Sequence, residues 1–103
     1  MFIYKILRPA EWSAFERDGR FAGSPDDVRD GYIHLSTAAQ TAGTMAKYFA
    51  GEAVTVLTLD AATLGAALRW EESRGGMLFP HLYRPLEAVE IVAVSDAPPP
   101  PPA

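Results

Sequence analysis

The sequence has no cysteine among its 103 residues and only two histidines, His34 and His81. The first absence excludes disulfide staples, thiolate metal sites and thiol nucleophiles, and it fits a cytoplasmic protein. No apolar run approaches the length needed to cross a bilayer, so no membrane partner is expected. The N-terminus, Met1-Phe2-Ile3-Tyr4-Lys5, lacks the basic segment and long apolar run of a signal peptide. Glycine-rich phosphate-binding fingerprints of either common type are missing, as is a Gly-x-Ser-x-Gly elbow. Positive charge is in short supply too. Nine Lys and Arg against thirteen Asp and Glu give a formal net charge of -4, which predicts no nucleic-acid partner while leaving room for one local phosphate contact.

What is present is a chain with 49% hydrophobic residues, enough for one compact domain over residues 1–96, followed by a disordered Pro-rich tail over 97–103. Phe2 to Leu7 is rich in β-branched and aromatic residues and reads as a strand. Pro9 suits the first turn of a helix ended by Gly19, with Trp12 and Phe15 on one face. Phe21 to Gly31 is crowded with turn formers and reads as a long irregular loop. Thr37 and Gln40 form a capping-box pattern for a helix from Ala38 to Ala50, with Ala38, Ala42, Met45 and Phe49 on its inner face and Gly51 past its end. Val54 to Asp60 is the clearest strand. Ala61 to Ala67 reads as a helical turn and loop anchored by Leu64, and Leu68 to Glu71 as a short strand. Gly75-Gly76 marks a turn, Phe79 to Pro85 a Pro-bounded loop, and Val89 to Val94 a last strand. The order predicts an α+β fold: a mixed or antiparallel sheet with two main helices.

The chemistry concentrates in Asp30-Gly31-Tyr32-Ile33-His34-Leu35-Ser36-Thr37. Period-two alternation puts Ile33 and Leu35 on a core face, and His34 and Ser36 together on the other, just before a helix N-terminus. Later candidates are Arg69 and Glu71 on one strand face, and His81, Tyr83 and Arg84 in the Pro-bounded loop. Each has a plain alternative. His34 can be an imidazole tied to a backbone group, Ser36 a helix cap, Arg69 and Glu71 a surface ion pair, Tyr83 a lid on the core. A metal set of His34, His81 and Glu71 has no closely spaced histidine pair behind it, and no metal is expected.

Asp30–Thr37, with Leu68-Arg69-Trp70-Glu71 and Phe79-Pro80-His81-Leu82-Tyr83, resembles the small bacterial domain-of-unknown-function 952 family over nearly the whole chain up to about Ser95. The resemblance implies a fold like that of ADP-ribosyltransferases, which hold NAD in a cleft between two small sheets. Tyr32 to Ser36, the Ala/Thr/Gly-rich helix and the Val54–Asp60 strand also look like the NAD-binding part of RNA 2′-phosphotransferases, whose histidine-x-serine strand faces the dinucleotide. The chain departs from those enzymes in lacking room for their N-terminal winged-helix domain and in having no recognisable arginine set.

The resemblances imply a His-lined cleft binding NAD, as a substrate, or a related nucleotide, and acting in ADP-ribosyl transfer or NAD glycohydrolysis. His34, Glu71 and His81 would be catalytic. Ser36, Arg69 and Tyr83 would bind the ligand, with Arg69 on a phosphate and Glu71 orienting a ribose hydroxyl or stabilising an oxocarbenium ion. The alternative is a non-catalytic module that binds a small molecule or a protein in the same cleft. Turnover and oligomeric state are left open by the sequence.

Overall fold

In the computed structural model, which describes residues 1–100, Phe2–Leu7 forms strand β1 as expected, with Ile3 and Leu7 buried. Helix α1, Pro9–Asp18, begins at Pro9 and ends on Gly19, whose φ of 71° is open to glycine without cost. Strands β2, Arg20–Phe21, and β8, Leu86–Glu87, form a two-stranded ribbon. Strands β4, Ser36–Thr37, β5, Thr55–Asp60, and β9, Ile91–Ser95, join β1 in a four-stranded sheet of order β4-β1-β5-β9. Strands β3, Ile33–His34, β6, Leu68–Glu72, and β7, Leu78–Leu82, make a three-stranded sheet of order β3-β7-β6. All pairings among the described residues are antiparallel, so the fold is α+β with antiparallel sheets.

One core joins the two sheets. Ile3, Leu7, Leu57 and Leu59 from the larger sheet pack with Ile33 and Leu82 from the smaller one, and with Phe15 and Phe21, whose rings stack 5.6 Å apart. A second cluster of Ile6, Phe49, Val54 and Val56 fills the other face of the larger sheet beneath Met45. Leu64 is buried between two short 3-10 turns, Ala61–Thr63 and Gly65–Ala67, and anchors them as its isolation in the sequence predicts.

Four expectations are corrected. The stretch Phe21–Gly31 is not an irregular loop, because it contains a third helix, α2, Pro25–Asp30, which raises the expected two main helices to three. Its turn formers are its caps. Ser24 Oγ accepts from the Asp27 N–H, Asp27 Oδ2 accepts from the Ser24 N–H at 2.9 Å, and Gly31 closes the helix at φ 87°. The segment around His81 is not a loop either: it is β7, the central strand of its sheet. Pro80 is tolerated there because its missing N–H falls on the side facing β3, where β3 ends. Only the Pro80 carbonyl is used there, by the Leu35 N–H at 3.0 Å.

Helix α3, Ala38–Tyr48, packs Met45 inward and is followed by the buried Phe49, as expected, but its first turns bury polar residues where an apolar face was expected. Ala42 is exposed, while Gln40 and Thr41 are buried. The side chains of Gln40, Thr41 and Thr44 find hydrogen-bond partners, so the helix can bury a polar stripe without cost from unpaired groups. The last strand starts at Ile91 rather than Val89, because Ala88–Glu90 forms a 3-10 turn. Residues 101–103 of the expected disordered tail lie outside the described residues.

Gly23 is where α2 meets the rest of the chain most tightly. Its φ is 133°, and an added Cβ would stand 2.8 Å from the Asp27 Cβ. Gly23→Ala therefore meets both strain and a clash. It is expected to lower stability by about 1–3 kcal/mol in urea denaturation, whereas Gly43→Ala, inside a helix and with only an ordinary 3.8 Å contact to Arg74 Nη1, should not lower it.

Candidate functional site

The stretch Tyr32–Thr37 crosses between sheets. Ile33 and His34 pair with β7, and two residues later Ser36 and Thr37 pair with β1. Leu35 is the hinge, buried in the shared core. His34 and Ser36 therefore line one cleft while belonging to different sheets.

Pairing geometry sets the histidines together. His34 lies opposite His81 in the register of β3 and β7. The His34 N–H points away from β7, to Asp27 Oδ1 at 3.1 Å, so this is a non-hydrogen-bonded pair, the kind in which side chains come closest. The two rings stand 5.7 Å apart, edge to face. Tyr32 stacks on His81 at 4.1 Å and tilts against His34 at 4.7 Å. A loop was expected to carry His81 on an opposing wall; instead both histidines stand side by side on one sheet.

Asp27 is the centre of the arrangement. Its side chain is 1% exposed, and its two oxygens take four donors. Oδ1 accepts from the His34 N–H and from His34 Nδ1 at 2.6 Å; Oδ2 accepts from the Ser24 N–H and from Lys5 Nζ at 2.9 Å. Burial alone would raise its pKa. The His34 hydrogen bond, the Lys5 charge and the Ser24 amide outweigh that and hold the carboxyl well below its usual range. Lys5 is buried as well and uses a second donor on the His34 carbonyl at 3.1 Å. On the other side of the His34 ring, Nε2 meets Asp30 at 2.9 Å. Carboxylates only accept, so both contacts are satisfied together by the imidazolium form, with a proton on each nitrogen.

His81 is held differently. Its Nδ1 faces Glu71 Oε1 at 2.9 Å, and Tyr83 donates its hydroxyl to the same oxygen at 2.6 Å. The Tyr83 hydroxyl, followed by His81, pulls the Glu71 carboxyl below its usual range, and the same hydrogen bond raises the tyrosine. With a proton fixed on Nδ1, Nε2 is the free position. It has no partner among the described residues, it is not a buried unpartnered nitrogen, and His81 is part of the cleft lining. A carboxylate behind one imidazole nitrogen with the other nitrogen free is the arrangement that prepares a general base.

Seven candidate residues were read from the sequence. Of these, His34, Ser36 and His81 line the cleft; Glu71, Tyr83, Arg69 and Arg84 do not, and Arg84 pairs with Glu90 at 2.6 Å. Glu71 and Tyr83 stand behind His81. Arg69 lies beside His81 in the register but stacks its guanidinium over the Tyr83 ring at 5.1 Å. Ser36 caps no helix: its hydroxyl pairs with Thr44 Oγ1 at 3.0 Å. The sequence reading missed Lys5, Asp27, Asp30, Thr44 and Arg74. The signal for Asp27 was there, in Ser24-Pro25-x-Asp27 closed by Gly31. The cleft measures about 150 Å³. No group of three or more metal-ligating side chains converges among the described residues. No described helix is long and apolar enough to cross a membrane.

Comparison with known proteins follows the same outline. A family model described as a protein of unknown function (DUF952) matches residues 6–94. No curated protein matches. Among solved structures, the crystal structure of protein CC0527 from Caulobacter crescentus is 50% identical, with a TM-score of 0.90 over 93% of this chain and 85% of that one. A solution NMR structure of CC0527 is 51% identical, with a TM-score of 0.83 over 92% and 83%.

Proposed function

This chain belongs to the DUF952 family of proteins of unknown function, and we propose that its cleft binds NAD or a related nucleotide and cleaves it at the glycosidic carbon, as a hydrolase or a transferase. The observation that carries this reading is the His34–His81 pair, with each Nδ1 held by a carboxylate and both histidines in the cleft lining. The resemblance to ADP-ribosyltransferases, and of His34-x-Ser36 to the NAD-facing strand of RNA 2′-phosphotransferases, supports the same ligand.

In this reading the bond from the ribose C1′ to nicotinamide breaks, and its electron pair leaves with the nicotinamide nitrogen. Water, or an acceptor hydroxyl, bonds to C1′ and gives its proton to His81 Nε2. Glu71 fixes the tautomer of His81 and does not reach the reacting carbon, which makes it a positioning residue. His34 supplies an N–H. Its contact with Asp30 lies at the surface and can be exchanged for a ligand oxygen, whereas the Asp27 contact is buried. At about 150 Å³ the cleft is below the roughly 300–1,000 Å³ of a pocket that encloses a drug-sized ligand. It holds one sugar-phosphate end, and the rest of a dinucleotide lies across the surface.

NAD at a hundred times its dissociation constant adds about 2.7 kcal/mol to stability, a rise of several degrees in melting temperature. His34→Ala is expected to abolish that rise. Mass spectrometry of the same incubation should show free nicotinamide. No thermal shift with millimolar NAD defeats the reading. A shift without nicotinamide release leaves the binding module, which the Tyr32–His81 stack favours, since that ring face is already occupied.

A further inference from the structure

Six of the nine Lys and Arg side chains face a carboxylate within 4.0 Å: Lys5, Arg8, Arg17, Arg20, Arg29 and Arg84. Among the described residues Lys47, Arg69 and Arg74 do not. Of these three only Arg74 lines the cleft. It is half-buried and held in place without a counter-charge. Nη2 donates to Thr44 Oγ1 at 2.8 Å, and the guanidinium lies 4.8 Å over the Phe79 ring. That is one hydrogen bond from a group with five N–H donors. The Thr44 hydroxyl also reaches the Gln40 carbonyl at 3.2 Å and the Ser36 hydroxyl at 3.0 Å, and Ser36 lines the cleft as well.

The acidic residues of the same cleft do not neutralise Arg74. Asp26 is taken by Arg29, Asp27 by Lys5 and His34, and Asp30 by Arg29 and His34. Among the described residues the cleft lining therefore has one cation that faces no carboxylate, with a planar fork of spare donors, beside the Ser36–Thr44 hydroxyl pair. That combination matches the oxygens of a phosphate group, which a fork can take two at a time.

We propose that Arg74, with Ser36 and Thr44, forms a phosphate-binding subsite, so that the ligand enters this cleft phosphate first. The proposal names the chemistry of the ligand and rests on the reading of the cleft as a ligand site. It moves the phosphate contact from Arg69, where the sequence suggested it, to Arg74.

The test uses two probes on the full chain. Inorganic phosphate is titrated while the Arg74 Nε–H and the Thr44 amide are followed by NMR, and ADP-ribose binding is measured by calorimetry. Both signals should move with phosphate in the wild type, and the Thr44 amide should stay still in Arg74→Ala. ADP-ribose should bind about ten- to a hundred-fold more weakly to Arg74→Ala, with part of the affinity kept in Arg74→Lys, which retains charge but loses the fork. The Thr44 amide spectrum also reports whether each variant is folded. If phosphate moves neither signal, or if ADP-ribose binds wild type and Arg74→Ala equally, the subsite is wrong. In the second case the nucleotide reading survives. If phosphate moves both signals and ADP-ribose does not bind, the subsite stands and the nucleotide reading falls.

Discussion

Asp27→Asn is expected to destabilise the fold by about 3–5 kcal/mol, the cost of breaking a buried ion pair from one side. The carboxylate takes four donors on two oxygens, from Lys5, from the Ser24 amide and twice from His34. Asparagine offers one oxygen and one NH2. Whichever way it turns, two donors meet an NH2, and the buried Lys5 charge loses its partner. Urea denaturation at neutral pH reads the loss; a change below about 1 kcal/mol would falsify the ion-pair account. The same carboxylate sets the acid response. Its folded pKa is depressed below the ordinary 3.8, so the unfolded chain takes up the proton first. The stabilisation is whole above about pH 5 and drains away as the pH falls through 3.8 toward the folded value. Asp27→Asn lacks that component, so its stability should fall less steeply than the wild type between neutral pH and pH 3.

How far the sequence can be read depends on how local the cause is. Runs of β-branched and aliphatic residues in Phe2–Leu7 and Thr55–Asp60 place both strands, because the sheet buries both of its faces and each strand supplies apolar side chains to both. Pro9 with Gly19 brackets α1, since each acts on its own backbone. The same logic applies to Gly23-Ser24-Pro25 and Gly31, but six residues are too few for a helical period to show, and the caps resemble loop residues. That obscured α2 and, with it, Asp27.

Other features were beyond any local pattern. Alternation puts His34 and Ser36 on one side of the chain, yet it does not show that the chain leaves one sheet between them. Pro80 argues locally against a central strand and is accommodated only because β3 stops beside it. Arg74 sits in a Gly-rich turn that reads as a connector. It reaches the cleft because Thr44 and Phe79, distant in sequence, hold its guanidinium there. Polar burial on α3 has the same origin: Gln40, Thr41 and Thr44 are inward because of partners that an apolar count along the helix ignores.

The two histidines then divide the chemistry between them. His34 is gripped on both nitrogens and tied into the buried Asp27 pair, so its replacement affects folding and binding together. His81 has one nitrogen held by Glu71, and in the proposed reading its other nitrogen takes the proton. His81→Asn is expected to lower nicotinamide release by about 10²–10⁴-fold, the range for a lost general base. The Kd for NAD, measured by calorimetry, should change little, because the proposed phosphate contact is at Arg74 and not at His81. Glu71→Gln should cost less. It keeps the size of the side chain and an oxygen for His81 Nδ1–H, but gives up the charge behind the ring. Its distinguishing signature is a displaced pH profile of kcat, which a merely structural contribution at an exposed position would not produce. Equal losses in kcat and in NAD affinity for His81→Asn would instead make His81 a binding residue, and the cleft would then lack a base.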